Sequence, residues 1–228
     1  MISVEEAKAK LQTFIPKLNS IELEVKDAAG FVLTSHIKSP IDMPPFPQSA
    51  MDGYALGAGA REVGSEFKVI GEVAAGSAQQ FELKPNECVR IFTGSAVPQS
   101  SFAVVQQEWV NSVDNSITLT KAVESMKNIR PMGEQINQDQ TALEKGALIT
   151  PATIGFLNML GIDSVEVYQK PNVGLIVTGN ELVPAGAKLE YGQVYESNSQ
   201  MLSSALETEG IASNVRHVKD SLASTMSA

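Results

Sequence analysis

Acidic residues placed beside glycines and small polar residues are where this sequence could do chemistry. Ser49-Ala50-Met51-Asp52-Gly53-Tyr54-Ala55 sets Asp52 between small residues and Gly53, where a backbone can turn sharply. For an isolated Asp-Gly pair the leading reading is an Asx turn, with Asp52 bonding its own backbone. Thr178-Gly179-Asn180-Glu181 follows the apolar run 173–177. In open α/β sheets ligands sit beyond the carboxyl ends of strands, and a Gly-containing turn there turns N–H groups toward an anion. Glu181 could hold a cation or a water; a solvated polar loop is the alternative. Tyr195-Glu196-Ser197-Asn198 precedes a helical stretch. Ser197 or Asn198 suits the cap, and the helix N-terminus suits an anion. Asp220 ends a second strand, as a site residue or as the cap of a following helix. In Arg90-Ile91-Phe92-Thr93-Gly94, Arg90 and Thr93 fall at a strand end, as in any hairpin. There is no nucleophile–base pair, phosphate loop or metal-ligand cluster at a recognised spacing.

The elements that must carry these residues follow from pattern. Ser3 with Glu6 reads as a capping box, and Val4, Ala7, Leu11 and Phe14 recur at helical spacing, predicting a helix over 4–15 that ends before Pro16. Residues 21–25 alternate as a strand, and 28–33 form a short helix or turn around Gly30. Pro40, Pro44, Pro45 and Pro47 predict a stiff, extended crossing. Between 54 and 129, strands are expected at 67–70, 88–91, 103–105 and 117–119, with turns at Gly71, Gly76, Gly94, Asp114 and Asn115. No long amphipathic helix fits there, so this stretch reads as all-β. A helix over 154–160 is expected to be capped by Thr153 and stopped by Gly161, before a strand at 165–168. The run 173–177 predicts a strand buried on both faces. A helix over 199–209 would bury Met201, Leu202, Ala205 and Leu206, and a strand at 214–218 completes a βαβ unit.

Composition narrows the function class. The chain has 228 residues and a formal charge of −9, which argues against non-specific nucleic-acid binding. Cys88 is the one cysteine, which excludes an intrachain disulfide and a thiolate zinc cluster. Its apolar neighbours make it a buried small hydrophobe, and Trp109 and the eight methionines read as packing residues. Only two histidines, His36 and His217, are available to a metal. No apolar run approaches the ~20 residues of a membrane span, and no signal peptide is visible after Met1. A cytosolic protein is expected.

Taken together and in order, these segments resemble the molybdopterin molybdenumtransferases, the family of MoeA and the gephyrin E domain. The matching residues are Ser39-Pro40, Pro44, Phe46, 49–55, 90–98, Arg130, Gly133-Glu134, Gly161-Ile162, 178–182 and 195–198. The resemblance implies an α/β plus all-β multidomain fold. Its parts would be an elongated, discontinuous first domain (1–45 and 133–170), an inserted β domain (46–132) and the start of a truncated molybdopterin-binding α/β domain (171–228). It implies insertion of molybdate into adenylylated molybdopterin with release of AMP, helped by Mg²⁺. Asp52, Glu181 and Asp220 match the family's acidic site residues, with Glu181 and Asp220 toward the metal. Thr93, Gly94, Arg130, Thr178, Gly179, Asn180, Glu196, Ser197 and Asn198 fall in its cofactor-binding segments. Two positions depart from the family: Gln135 stands where it has an acid, and Glu196 where it has Asp. Its later Gly-Gly-rich loop, Pro-Gly-Asn-Pro segment and C-terminal β domain have no counterpart here, so residues 1–228 are not expected to perform the reaction alone. The resemblance also implies a homodimer that works with a molybdopterin-adenylating protein, and no membrane partner. A gephyrin-like scaffold and a pseudoenzyme are the alternatives.

Overall fold

Short runs of alternating apolar residues build the sheet that carries Asp52. The computed structural model describes residues 2–227 and divides into two compact units, Met1–His36 with Leu143–Ala228, and Ile37–Ala142. The second unit holds a six-stranded sheet. Its spatial order is Ala103–Gln106, Gly53–Leu56, Glu87–Ile91, Glu66–Val73, Ser116–Leu119, Val110–Val113. All neighbours are antiparallel except Glu66–Val73 with Glu87–Ile91. Successive side chains point to opposite faces, so one strand feeds two cores. Leu56, Phe67, Cys88, Val105, Ile117 and Leu119 pack together, and Ala55, Val73, Val89, Ile91 and Val104 form a separate cluster.

The four expected strands of this unit are present, and Gly53–Leu56 and Val110–Val113 join them. Gly71 is not a turn residue. It lies inside Glu66–Val73, where the register shifts between Val69 and Glu72. A Cβ there would meet the Phe81 ring at 2.6 Å, so this glycine marks a bulge under an aromatic ring.

The first unit opens with helix Val4–Phe14. Ser3 Oγ accepts the Glu6 N–H at 3.2 Å and Glu6 accepts the Ser3 N–H at 2.7 Å, completing the expected capping box. No residue of the helix is buried; Val4, Leu11 and Phe14 are 69%, 67% and 80% exposed. Ser20–Glu24 pairs antiparallel with Ser164–Tyr168. The next helix is Pro151–Met159, and its cap is Thr150 rather than Thr153: Thr150 accepts the Thr153 N–H at 3.2 Å. Proline is favoured in the first helical turn, where its missing N–H costs nothing, which sets Thr150 one residue ahead. Gly161 (φ +76°) follows the helix as its stop.

Asn172–Thr178 and Ala212–Val218 form a two-stranded parallel sheet, joined through helix Asn198–Thr208. The first strand is not buried on both faces. Its residues alternate between exposed and half-buried, because one strand flanks it and one helix covers it. The helix also turns a different stripe inward. Ser199 is buried and Ser203 and Leu206 are half-buried, while Met201, Leu202 and Ala205 face solvent. The Ser213 hydroxyl donates to the Ser203 hydroxyl at 3.2 Å, so a small polar contact seats the helix on the sheet.

Candidate functional site

Asp52 sits just before strand Gly53–Leu56, and its carboxylate does not bond its own backbone. Its Oδ1 accepts the Thr93 N–H at 2.8 Å and the Thr93 hydroxyl at 2.9 Å. These donors, the backbone one first, and then the nearby Arg90 charge hold the Asp52 carboxyl below its ordinary range. Among the described residues Oδ2 accepts no hydrogen bond, and the side chain is exposed. The turn after Thr93 is fixed by Gly94 (φ +82°), whose N–H donates to the Ser49 carbonyl at 2.9 Å. Gly53 serves close approach rather than a sharp turn. A Cβ there would lie 1.9 Å from the Val105 carbonyl oxygen. The result is a fixed, ionised, solvent-facing carboxylate beside a Thr-Gly turn, able to accept a proton or face a cation.

A second set of expected residues gathers at one end of the parallel sheet. Thr178 is in register with Val218, so the Gly179–Glu181 turn and Asp220 leave adjacent strands at the same end. Gly179 (φ +149°) leaves room for its neighbours: a Cβ would lie 2.8 Å from the Leu182 side chain and 3.0 Å from Glu181 Oε1. Leu182–Val183 then pairs with Val194–Tyr195, the Val194 N–H donating to the Glu181 carbonyl and the Glu196 N–H to the Val183 carbonyl. That short ladder brings the Glu181 and Glu196 segments side by side. Asn180, Glu181 and Asp220 are exposed.

The helix N-terminus is capped differently from the expectation. Ser197 occupies the cap position but makes no side-chain cap bond, and Asn198 is the first helical residue. With ψ at −19° Ser197 lacks the extended backbone that aims a cap side chain at the helix. Glu196 does the work instead: it accepts the Ser199 N–H at 2.7 Å and the Ser199 hydroxyl. The Ser199 hydroxyl and N–H, with smaller help from the Asn198 N–H and the His217 charge, hold its carboxyl below the usual range. The anion position at this helix end is thus filled by the chain's own carboxylate. Asp220 does not cap the last helix either; Ser221 does, accepting the Ser224 N–H at 3.2 Å before Leu222–Met226.

Arg130 pairs in register with Gln48 on a two-residue ladder and is exposed. Gln135 is exposed as well, its N–H on the Met43 carbonyl at 2.9 Å. A cavity of about 600 Å³, lined in part by Phe46, Pro47, Phe81, Val97 and Pro98, contains none of the expected site residues. No three His, Cys, Asp or Glu side chains converge among the described residues, and no described helix is long and apolar enough to cross a membrane. Sequence reasoning missed Gln107, whose N–H donates to the Asp52 carbonyl at 3.0 Å. Nothing local marks that pairing; only the strand register reveals it.

Residues 2–161 match the family model for the MoeA N-terminal region (domain I and II). A molybdopterin molybdenumtransferase of Haemophilus influenzae is 35% identical over 209 residues, covering 91% of this chain and 52% of that protein. Molybdopterin molybdenumtransferase 2 of Mycobacterium tuberculosis is 34% identical over 217 residues, covering 93% and 54%. The chain therefore spans about half the length of the curated relatives it matches. A crystal structure of the molybdopterin biosynthesis MoeA protein from Pyrococcus horikoshii OT3 superposes with a TM-score of 0.85 at 30% identity, over 98% of this chain and 61% of that one. With a family match that takes in Asp52, Thr93 and Arg130, and a mixed α/β fold like that of a solved relative, this chain belongs to the MoeA N-terminal family.

Proposed function

We propose that this chain serves molybdenum-cofactor biosynthesis, in the insertion of molybdate into adenylylated molybdopterin with release of AMP. The observation that carries the reading is likeness over more than nine-tenths of the chain to proteins named molybdopterin molybdenumtransferase. The geometry suits a reaction between anions. Asp52 is held ionised by Thr93. In this reading Thr178, Gly179 and Asn180 meet the pterin phosphate beyond the strand end, and Ser197 and Asn198 flank it, while the helix N-terminus itself stays with Glu196. Thr93, Gly94 and Arg130 act with Asp52 on the β side, Arg130 as an exposed cation for an anionic group.

Mg²⁺ fits the residues present. Glu181 and Asp220 leave neighbouring strands at one end of the sheet and are both exposed. This ion takes one or two carboxylates and completes its shell with waters and phosphate oxygens, so a larger protein cluster is not required. When bound, it would neutralise phosphate charge as AMP leaves. Glu196 is committed to Ser199 and stands outside that ligand pair.

We also read the protein as a cytosolic homodimer with three domains, a discontinuous first, an inserted β and an α/β ligand domain, that takes its substrate from a molybdopterin-adenylating protein. A second copy would cover the apolar stripe of Val4, Leu11 and Phe14. The test of the function is AMP release from adenylylated molybdopterin and molybdate by the full-length protein, with Asp52→Ala and Glu181→Ala as controls. Loss in both variants is expected; no AMP from the unmodified protein would overturn the reading.

A further inference from the structure

Arg90 stands half-buried, near enough to the Asp52 carboxylate for its charge to be felt there, and several contacts fix its position. Its guanidinium lies over two rings, 5.1 Å from the Tyr54 centroid and 5.2 Å from that of Phe92. Tyr54 is its direct cross-strand partner, so the sheet register itself sets the first ring in place. Nη2 donates to Gln107 Oε1 at 2.6 Å and Nη1 reaches the Gly53 carbonyl at 3.4 Å. Gln107 in turn donates its N–H to the Asp52 carbonyl at 3.0 Å. One planar cation therefore touches the residue after Asp52 directly and Asp52 itself through one intermediary. Thr93, which bonds the Asp52 side chain, lies three residues beyond Arg90, just past the end of the strand Glu87–Ile91.

We propose that Arg90 is a positioning residue for the Asp52 site: by tying the Gly53 carbonyl and, through Gln107, the Asp52 carbonyl, it fixes the backbone from which the Asp52 carboxylate meets Thr93 and presents Oδ2 to a ligand. The inference rests on the reading of Asp52 as a site carboxylate. The planar fork matters more than the charge. Two donors in fixed geometry reach two acceptors while the flat face stacks on the rings, which an ammonium cannot reproduce. Misplacing a reacting group by about 1 Å is enough to cost on the order of 100-fold in rate, so a residue that touches no substrate can still govern the site.

The test reads geometry without substrate, so its outcome is separate from that of the AMP-release assay. In the 228-residue chain, NMR follows the Thr93 amide proton and the pH titration of the Asp52 carboxyl carbon in Arg90→Lys and Gln107→Ala. Both variants keep a cation at position 90. The proposal expects the Thr93 amide to move upfield and the Asp52 midpoint to rise in each, with the circular dichroism unchanged. A role confined to holding the sheet together would lower the melting temperature of Arg90→Lys and leave both signals in place, and that result overturns the proposal. A change in Arg90→Lys with none in Gln107→Ala overturns the part of the proposal that runs through Gln107 and leaves only the direct tie to the Gly53 carbonyl. If Arg90→Lys does not fold, Gln107→Ala, an exposed position, decides the shorter of the two ties, and unmoved signals there overturn the proposal.

Discussion

Thr93 grips the Asp52 carboxylate with both of its donors, at 2.8 and 2.9 Å, across 41 residues of sequence. Both bonds fall on one oxygen, so the contact orients the carboxylate and leaves the other oxygen outward. Carboxylates that accept backbone N–H bonds stay ionised at lower pH. The pair therefore delivers a fixed negative charge at the N-terminal end of Gly53–Leu56, an inner strand of the six-stranded sheet.

Thr93→Val keeps the N–H donor and removes the hydroxyl. The Asp52 carboxyl lies below its ordinary value in the folded protein, so its bonds contribute stability above the unfolded carboxyl pKa and lose it as pH falls through the folded value. Thr93→Val is expected to move the Asp52 midpoint upward, measured by carbon NMR. The melting temperature barely changes, because the carboxylate is exposed. An unmoved midpoint would mean that the hydroxyl bond has no weight in solution.

Two glycines should respond to alanine with opposite signs. At Gly53 a Cβ would lie 1.9 Å from the Val105 carbonyl oxygen, a backbone atom fixed by strand pairing. Gly53→Ala is expected to destabilise by about 3 kcal/mol or more, since the strands must separate to admit the methyl. Gly155 lies inside helix Pro151–Met159 with nothing within 4 Å of its Cβ position. Gly155→Ala should stabilise by roughly 0.5–1 kcal/mol by narrowing the unfolded chain's freedom. Urea unfolding of the two variants decides the matter; a stabilised Gly53→Ala or a destabilised Gly155→Ala would contradict the corresponding argument.

Local signals were legible and long-range ones were not. The Ser3–Glu6 capping box is an i, i+3 relation, and it forms as read. Thr150 was also within reach, because Pro151 marks a first helical turn. Asp52 stood out from its small-residue setting, but its link to Thr93 depends on which strands lie side by side, and Gly53–Leu56 is too short to announce itself by alternation. The buried strand expected at 173–177 failed for a different reason. An apolar run says what a strand can bury, while the number of covering elements decides what it does bury. Glu196 took the cap from Ser197 because the backbone at 197 is not extended, a dihedral that residue type does not encode.

Cys88 should be silent to thiol reagents in the folded protein. It is buried in the cluster with Leu56, Phe67 and Ile117, and burial pushes its thiol from 9.0 up to about 12. The reactive thiolate is therefore scarce at pH 8. Alkylation at that pH is expected to follow unfolding, with urea restoring full labelling. The raised pKa has a stability consequence. The contribution is fully present below the unfolded thiol pKa and is lost as pH rises from there through the folded value, at up to about 1.4 kcal/mol per pH unit. Comparing urea midpoints of the wild type and Cys88→Ala at pH 8 and pH 10 isolates this slope from other titrating groups. Parallel behaviour of the two proteins would show that the thiol is not desolvated.

The segment from 169 onward should open before the six-stranded sheet does. Ser199 is the one buried residue among the described residues 169–227, whereas the sheet of the other unit carries two apolar clusters. Local stability follows buried apolar contact, and segments poor in it open at low free energy. Asn172–Thr178 has one strand neighbour, and Met201 and Leu202 of the covering helix face solvent at 61% and 44% exposure. Lys188, Arg216 and Lys219 are exposed, so trypsin has sites on both sides of that helix. Limited digestion of the 228-residue chain is expected to cut at these positions before any in the six-stranded sheet and leave a resistant core containing the Glu87–Ile91 strand. Amides of Asn172–Thr178 should likewise exchange with deuterium ahead of those of Glu87–Ile91. Protection through Arg216 equal to that of the sheet would require burial that the two-stranded arrangement lacks.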